Sequence, residues 1–485
     1  MADIFGSLPE RRVEPDAVAR VRAWHQRTNR RTVVLDDDPT GSQSVHDVNV
    51  VTVPDRNEYR AALGEAGSTC FILTNTRSLA QPAAVALTQA VARDLFELSR
   101  EQGFPMEMVS RSDSTLRGHV VAEVRAIDAV RRERTGTGYD AVLFVPVFLE
   151  AGRVTAHDVH LARVGGAFVP AGETEFANDA AFGYRSSNLK EFLVEKSGGT
   201  IGVRDVHSVS LDDIRLGGPK TVANVLARVP PGAFVVINAV DYADLEIVAL
   251  AVMEAREQGR SYLYRTGPSF VRALAGLAGR EPLQAADIWP AGRTRGHGLV
   301  VVGSHVGLTS DQVAFARARG GLVEIELDVT RVVGLGQYMP AIGQYGPGTG
   351  DYVAAIGARA GAELAHANVL VSTSRALVRG ADGEASLQIA RDVSAAMADV
   401  VRAAIKAKPS WVVAKGGITS HDVAVRGLGI RRAEVLGQLF PGMVSVFRPL
   451  EAATEAVGVP YVVFAGNVGD EHTLADVIDL LSGVV

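Results

Sequence analysis

The stretch from Val33 to Gly41 reads VVLDDDPTG, in which an apolar run meets three consecutive aspartates and a Pro-Thr-Gly turn. In an α/β protein, a buried parallel strand that ends in polar residues places them at the carboxyl edge of the sheet, where ligands bind. Adjacent carboxylates repel one another, so they need a cation, an arginine, a lysine or open water nearby. The stretch therefore indicates either a binding site or a solvated turn in which Asp38 caps a helix starting at Pro39.

Apolar segments of strand length alternate with helical patterns through the first half of the chain. Long helices are predicted over residues 82–102 and 120–134. Such alternation is typical of βαβ units and predicts a mostly parallel sheet. The predicted strands are Arg31–Leu35, Val48–Val53, Cys70–Thr74, Met106–Val109, Ala141–Val147, Ile201–Val203, Phe234–Ile237 and Tyr262–Tyr264.

The periodicity fades between Glu150 and Lys196, where polar residues and glycine dominate. A loop of this length inside a compact domain is usually functional or disordered. We interpret it as functional, because several of its side chains suit a polar substrate. Those side chains are Arg153, Glu173, Thr174, Asp179 and Arg185.

The second half repeats an apolar strand, a glycine-containing loop and a helix start, with helices predicted from Gln312 and Thr473. Glycines let backbone N–H groups converge on phosphate, and the helix end adds a positive dipole. Several such units in one domain predict a nucleotide site. They are Leu299–Val302 before Gly303 and Ser304, Trp411–Ala414 before Lys415–Ser420, and Tyr461–Phe464 before Gly466–Gly469. The glycine-rich residues 334–350 are interpreted as a surface excursion or a flap over the nucleotide.

Length and composition limit the class of protein. At 485 residues two domains are expected, and we place them at 1–285 and 286–485, because 279–297 has few periodic apolar positions and two prolines. The formal charge of −6 argues against nucleic acid as a partner. The single cysteine, Cys70, excludes an intramolecular disulfide and a multi-thiolate metal site. With no secretory signal and no apolar run long enough for a bilayer, we expect a soluble cytoplasmic protein without a membrane partner.

Several common enzyme motifs are absent from the sequence, among them the P-loop, a strand-borne GxGxxG, HExxH and the nucleophile elbow. What remains is a phosphate-cradling second half and a first half rich in carboxylates and arginines. Phosphoryl transfer needs these parts: a carboxylate base, Mg²⁺, and donors for the transferred charge. The arginines also suit a carboxylate on the acceptor, since guanidinium binds it bidentately.

Structural alternatives remain open for these motifs. The stretch Asp113–Thr115 could cap the helix that follows, and the arginines that flank it could be solvated. Lys415 could lie on the surface, and Glu150 and Arg153 could pair only with each other.

Together, the motifs resemble those of the four-carbon acid sugar kinase family, from about residue 33 to residue 470 and in the family's order. Members join an N-terminal sugar-acid-binding domain to a C-terminal nucleotide-binding domain. Arg111 stands where a lysine is common, and His305-Val306 departs from the usual serine loop. The matching motifs are Asp37–Gly41 (DDxTG), Asp113–Gly118 (DSTLRG), Glu150–Arg153, Glu173–Asp179 (ETxFxxD), Gly303-Ser304, Lys415–Ser420 (KGGxTS) and Gly466–Gly469 (GNxG).

The resemblance implies two α/β domains, each a mostly parallel sheet flanked by helices, with the active site in the cleft between them. It also implies phosphorylation of the terminal hydroxyl of a small sugar acid by ATP, which binds as its Mg²⁺ complex without a separate protein metal site. The acid would be of the threonate, erythronate or 3-oxo-tetronate type. Other possibilities are a kinase for a branched relative such as 3-oxo-isoapionate, a non-catalytic sensor of sugar acid and nucleotide, and an ATP-dependent ligase. The expected partners are a sugar acid and ATP or ADP, and a homodimer is the general expectation for a soluble enzyme.

The resemblance also assigns roles to individual residues. Asp37 or Asp38 would deprotonate the acceptor hydroxyl or hold Mg²⁺ through water, whereas Asp36 lies just outside the motif and is expected to be structural. The catalytic candidates are Asp37, Asp38 and Asp113, and the substrate-binding candidates are Thr40, Arg111, Ser114, Arg117 and Arg153. The nucleotide-binding candidates are Ser304, Lys415, Gly416, Gly417, Ile418, Thr419, Gly466, Asn467 and Gly469.

Overall fold

The computed structural model describes residues 5–38, 41–289, 296–303, 307–334, 349–374, 383–466 and 468–483. It divides the chain into two units, Met1–Arg280 and Glu281–Val485. Three predicted site residues lie outside the described residues, namely Thr40, Ser304 and Asn467, and so does most of the glycine-rich stretch 334–350.

Parallel strands form the main sheet of the first unit. The strands of this unit are β1 (Arg31–Asp36), β2 (Val48–Val51), β3 (Thr69–Leu73), β4 (Met106–Arg111), β5 (Ala141–Val145), β6 (Arg153–Ala156), β7 (Val159–Val164), β8 (Ala167–Pro170), β9 (Val206–Val209), β10 (Ala233–Ile237) and β11 (Tyr262–Thr266). Within the described residues, eight of them form a parallel sheet in the order β2-β3-β1-β4-β11-β5-β10-β9. Every residue of β1 is buried, as expected for a parallel strand that is covered on both faces.

Helices pack against this sheet. They are α1 (Ala17–Arg27), α2 (Arg56–Ala62), α3 (Gln81–Gln102), α4 (Val120–Thr135), α5 (Leu189–Lys196), α6 (Leu211–Arg215), α7 (Gly218–Ala227), α8 (Tyr242–Glu257) and α9 (Pro268–Leu274). Val33 and Leu35 of β1 share a hydrophobic cluster with Val91 and Leu95 of α3 and Ile127 of α4. Burial of this apolar stripe is the reason that the helical periodicity of α3 and α4 is visible in the sequence.

The polar segment from Glu150 to Lys196 is not a single long loop, which corrects the expectation from its composition. Strands β6, β7 and β8 form a separate antiparallel sheet there. Each of the two turns between these strands contains two adjacent residues with positive φ. They are His157 (52°) and Asp158 (63°) in the first turn, and Gly165 (56°) and Gly166 (85°) in the second. Two adjacent positive φ angles are typical of tight hairpin turns.

A second difference concerns the strand that was expected at Ile201–Val203. The strand at this edge of the sheet is β9, which begins at Val206 after a short 3-10 turn over Val203–Asp205. The prediction followed the small apolar run, but the β-branched residues that enter the sheet come just after it.

The second unit has a mixed sheet. Its strands are β12 (Leu299–Val302), β13 (Leu322–Leu327), β14 (Asn368–Thr373), β15 (Val412–Lys415), β16 (Arg432–Phe440), β17 (Met443–Glu451) and β18 (Tyr461–Phe464). In the part of this unit that the structure describes, the order is β13-β14-β12-β15-β18-β17-β16, with the first five parallel and the last two antiparallel to their neighbours. Its helices are α10 (Ala285–Ile288), α11 (Gly307–Arg319), α12 (Val329–Gly334), α13 (Thr349–Glu363), α14 (Gly383–Ala404), α15 (Gly417–Asp422) and α16 (Thr473–Ser482). The predicted fold class, α/β with mostly parallel sheets flanked by helices, is confirmed.

The β16–β17 hairpin was not predicted from the sequence. Its strands join at Pro441-Gly442, where Gly442 has a φ of 67°. A glycine-containing two-residue turn between alternating runs is a hairpin signal, so the sequence did contain the information. In addition, α11 begins at Gly307, earlier than the predicted start at Gln312.

Among the helices of the described ranges, none combines the length and the apolar character that a membrane crossing requires.

Candidate functional site

The ends of β1 and β4 bring two aspartates onto one arginine. Asp36 lies opposite Arg111 in the register of these strands. Arg111 Nη1 lies 2.9 Å from Asp36 Oδ1 and 3.8 Å from Asp37 Oδ1, and all three residues are buried. The mutual repulsion of adjacent carboxylates is therefore offset by a cation that the next strand supplies.

Burial disfavours the ionised forms of both aspartates. It raises the pKa of Asp36 to about 7, although Arg111 acts in the opposite direction. It also raises the pKa of Asp37, against the attraction of nearby guanidinium groups, of which Arg77 has the largest effect. Both carboxylate oxygens of Asp37 are buried and make no hydrogen bond within the described residues. Asp37 is thus stabilised by the charge of nearby guanidinium groups rather than by direct hydrogen bonds.

Asp38 and Asp113 share another arginine, Arg77, which follows β3. Arg77 forms an ion pair with Asp38, and its Nη1 lies 3.8 Å from Asp113 Oδ2. The side chains of the two aspartates are each 12% exposed and that of Arg77 is 23% exposed, so a ligand can reach all three. The ends of β3 and β4 meet here because both strands pair with β1. Arg77 was not among the predicted site residues, although an arginine close after a buried strand is the same signal as the aspartates.

Asp113 is a stable anion in this cluster. Burial would raise the pKa of Asp113, but Arg77, Arg117 and the Thr115 hydroxyl lower it to about 2. Arg117 Nε lies 2.6 Å from Asp113 Oδ2, and the Thr115 backbone N–H donates to Asp113 Oδ1 at 3.2 Å. Asp113 does not cap the following helix, because α4 has His119 at its N-cap position and no side-chain cap.

Arg153 and Arg117 lie against one aromatic ring. Their guanidinium carbons are 5.8 Å and 5.5 Å from the centroid of Phe176. Arg153 donates to the carbonyl oxygen of Ala151, and within the described residues no carboxylate forms an ion pair with it. Burial lowers the pKa of Arg153, with Asp113 as the opposing charge. Arg153 is therefore a cation near the cluster that still lacks an anionic partner there.

Glu150 does not pair with Arg153, which settles that structural alternative. Its carboxylate accepts hydrogen bonds from Tyr242 and, at 2.9 Å, from Ser269 Oγ. Arg272 Nη1 lies 3.8 Å from the same carboxylate. Glu150 thus anchors the loop before β6 to α8 and α9.

The five polar residues that were selected between Glu150 and Lys196 do not all reach the cluster. Asp179 Oδ2 lies 3.7 Å from Arg117 Nη1. Thr174 instead donates to its own turn, at the Ala171 carbonyl, 2.6 Å away. Glu173 and Arg185 are exposed. Of the five, Arg153 and Asp179 are the ones that the fold brings to the aspartates.

In the second unit, strand β15 and helix α11 both form hydrogen bonds to the loop after β18. Lys415 Nζ donates to the Ala465 carbonyl at 3.0 Å, which joins the ends of β15 and β18. Thr309 of α11 donates to the Gly466 carbonyl at 2.9 Å. Gln312 of the same helix donates to the carbonyls of the loop 468–470 at 3.1 Å and 2.6 Å. Gln312 was predicted only as a helix start, not as a contact to the last glycine loop.

Glycines allow these loops to approach one another. A Cβ on Gly303 would lie 2.2 Å from Thr419 Oγ1, and one on Gly469 would lie 2.4 Å from Thr473 Oγ1. Gly416 has a φ of 115°, which L side chains rarely adopt. Gly303, Gly416 and Gly469 thus permit backbone geometry and close approaches that a side chain would obstruct.

Lys415 and Ile418 differ in exposure. Lys415 is fully buried, and its Nζ lies 3.6 Å from the ring centroid of Phe464. Burial lowers the pKa of Lys415 to about 7, so the alternative of a surface lysine is wrong. Ile418, in the first turn of α15 after Gly417, is 60% exposed. The next residue, Thr419, is buried.

The described residues contain no group of three or more His, Cys, Asp and Glu side chains arranged to hold a metal ion. Mg²⁺ is commonly bound by one or two carboxylates together with substrate phosphates.

Two family models match the chain. One is described as a sugar-binding N-terminal domain and covers residues 32–274. The other is described as a nucleotide-binding C-terminal domain and covers residues 299–474. Sugar binding is thus associated with the unit that holds the aspartate cluster, and nucleotide binding with the unit that holds the glycine loops.

Solved structures share the fold. The Haemophilus influenzae protein HI1011 is 16% identical with a TM-score of 0.61, and the match covers 93% of this chain and 99% of that chain. A Salmonella typhimurium LT2 protein, provisionally described as a tRNA synthase, is 17% identical with a TM-score of 0.64, and the match covers 92% and 98%. At these identities the likeness concerns the fold alone. No curated protein matches the chain significantly.

Proposed function

The chain belongs to the four-carbon acid sugar kinase family, and on this premise we propose that it transfers the γ-phosphoryl group of ATP to a small sugar acid. The acceptor is the terminal hydroxyl of an acid of the threonate, erythronate or 3-oxo-tetronate type. One observation carries the proposal: the acidic and basic side chains at the ends of β1, β3 and β4 converge within the sugar-binding unit.

Asp38 is the proposed general base. Asp36 is 0% exposed and Asp37 is 2% exposed, whereas the Asp38 side chain keeps 12% of its surface. A base must come within hydrogen-bond distance of the proton it removes. Asp113, with a pKa of about 2, accepts a proton less readily and suits hydrogen bonds from the acceptor's hydroxyl groups. In the proposed step the acceptor oxygen bonds to the γ-phosphorus, the bond to the β,γ-bridging oxygen breaks, and the hydroxyl proton passes to Asp38.

Arg153 and Arg117 are proposed to bind the carboxylate of the acid. Arg153 makes no ion pair within the described residues, and it shares the face of Phe176 with Arg117. A guanidinium group binds a carboxylate through two parallel hydrogen bonds. Arg117 also forms an ion pair with Asp113. An acid bound to Arg117 would therefore lie beside the aspartates of the cluster.

The loops after β12, β15 and β18 are proposed to hold ATP. Their backbone N–H groups would bind the phosphates, with the helix starts of α11 and α16 contributing their dipoles. Lys415 supports this geometry by joining two of the loops. Bound Mg²⁺ would neutralise charge on the β- and γ-phosphates.

The test is to measure ADP release with Mg-ATP and a panel of four- and five-carbon sugar acids. We expect turnover with at least one of them and a phosphate monoester at its terminal hydroxyl, located by phosphorus NMR. Asp38→Asn should lower kcat by roughly 10²- to 10⁴-fold, while the matched substitution Asp212→Asn at an exposed helical site should not change it. Folded protein that releases no ADP above the ATP-only background with any acid would overturn the proposal.

The same assay separates the alternatives. If a branched acid is the best substrate, the proposed reaction stands and only the acceptor changes. An acyl phosphate trapped by hydroxylamine would indicate a ligase instead. ATP and acid binding without transfer, unaffected by Asp38→Asn, would indicate a sensor.

A further inference from the structure

A buried ion pair lies beneath the aspartate cluster. Arg265 of β11 pairs with Glu123 of α4, and their side chains are 1% and 4% exposed. Neither residue was predicted to belong to the site. Because a buried pair costs desolvation free energy that its attraction often only offsets, its presence points to a role other than stability.

Each end of the pair reaches a different functional loop. Thr76, which precedes Arg77, donates its hydroxyl proton to Glu123 Oε1 at 2.5 Å. Arg265 Nη2 lies 2.6 Å from Ser112 Oγ, which precedes Asp113. The loop after β3 and the turn after β4 are therefore joined through two buried charged side chains. Arg265 Nη1 also donates to Ser110 Oγ of β4 at 2.6 Å.

The same groups close around Asp37. A Cβ placed on Gly118 would lie 2.9 Å from Asp37 Oδ2, 3.2 Å from Ser112 Oγ and 3.3 Å from Arg265 Nη2. These three polar groups thus converge on one point beside a glycine whose φ is 117°. Gly118, the last residue of the DSTLRG motif, therefore packs against the guanidinium group of Arg265.

We propose that Glu123 and Arg265 are positioning residues of the acceptor site: they hold the Arg77 loop and the Ser112–Asp113 turn at the spacing that lets Arg77 bridge Asp38 and Asp113. The inference rests on the proposed function. Neither residue touches the substrate, and both act through their hydrogen-bonded neighbours. Small displacements of catalytic groups reduce rates strongly, by roughly 10²-fold for about 1 Å.

The first unit offers a matched control. Glu107, at the other end of β4, is also fully buried and accepts hydrogen bonds from Arg30, from Arg256 and, at 2.7 Å, from the Tyr264 hydroxyl. Tyr264→Phe therefore removes one hydroxyl donor from a buried glutamate, just as Thr76→Val does at Glu123. A purely structural role predicts the same result for both.

The experiment compares Thr76→Val, Thr76→Ser and Tyr264→Phe in the full chain. We expect Thr76→Val to lower kcat/KM for the acid by roughly tenfold or more, and Thr76→Ser, which keeps the hydroxyl, to restore most of it. Tyr264→Phe should shift the unfolding midpoint similarly while changing kcat/KM by less than about twofold. Equal losses of kcat/KM in Thr76→Val and Tyr264→Phe would overturn the inference.

Hydrogen exchange gives a readout that does not need a substrate. We expect Thr76→Val and, from the other end, Ser112→Ala each to increase exchange in both 73–79 and 111–119. An increase confined to the substituted segment in either variant would overturn the inference. If the wild-type protein turned over no acid, the kinase proposal would fail, and the exchange data would still decide whether the pair couples the two loops.

Discussion

The ring Nε2 of His160 lies 2.7 Å from the carbonyl oxygen of Ser114. Because a carbonyl only accepts, Nε2 carries the proton, and Nδ1 accepts from the Thr155 hydroxyl at 3.0 Å. The hydroxyl of Tyr184 donates to the next carbonyl, that of Thr115, at 2.9 Å. The polar segment that was expected to be a loop therefore holds the turn that carries Asp113, through His160 of β7 and through Tyr184.

His160 should make stability depend on pH. Burial lowers the pKa of His160 from 6.5 to about 4, so between these values the unfolded chain binds a proton that the folded chain does not. Stability then falls as the pH falls from about 6.5 to 4, by about 1.4 kcal/mol per pH unit and about 3 kcal/mol in all. Urea unfolding of the wild type and of His160→Gln across this range should show curves that converge toward acid pH. Parallel curves would contradict a buried neutral imidazole.

Substitutions of Asp36 and Asp38 should have opposite effects: the first should reduce stability, and the second should reduce turnover. Asp36→Asn removes the charge that Arg111 faces at 2.9 Å and should cost about 2 kcal/mol of stability while turnover remains. Asp38→Asn should leave the unfolding midpoint nearly unchanged and abolish most of kcat. Urea unfolding and ADP release on both variants provide the comparison. A larger loss of turnover in Asp36→Asn would reverse the assignment of the base.

Gly118→Ala should damage the site far more than a similar change elsewhere. Its Cβ would press on Asp37 Oδ2 at 2.9 Å, at a φ of 117°, so we expect a stability loss above about 2 kcal/mol and loss of acid binding. Gly136→Ala, at the end of α4, also has a positive φ but meets nothing within 4 Å. It should cost about 1 kcal/mol and leave acid binding intact. Thermal unfolding and calorimetric binding of the acid measure both effects, and equal behaviour of the two variants would count against the packing argument.

Lys415→Met should weaken ATP binding without lowering the stability of the fold. Lys415 is fully buried, and burial lowers its pKa to about 7. Below that pH the buried ammonium group is charged, which destabilises the folded state. Between about pH 7 and 10.5 the folded state gains stability as the pH rises, because the unfolded chain binds a proton that the folded chain does not. Methionine removes this destabilisation, so we expect an equal or higher unfolding midpoint at neutral pH. ATP binding should weaken by roughly tenfold, because the link to the Ala465 carbonyl is lost. Unchanged ATP affinity in calorimetry would remove Lys415 from the nucleotide site.

The sequence by itself determined the strands that end in functional residues. The run Val33–Leu35, the aspartates behind it and the glycine loops of the second half are visible because periodicity and turn chemistry act between near neighbours in the chain. The same locality explains why the β6–β7–β8 sheet was missed: its turns were readable, but its short strands resemble a polar loop in composition.

Only the tertiary structure decided which charges meet. Arg77 reaches Asp38 and Asp113 because β3 and β4 both pair with β1, and Arg265 reaches Glu123, 142 residues away in the chain, because β11 inserts beside β4. Strand order depends on the packing of whole faces rather than on any local pattern. The sequence thus predicted a site at the edge of β1, and the order of the strands selected the arginines that surround it.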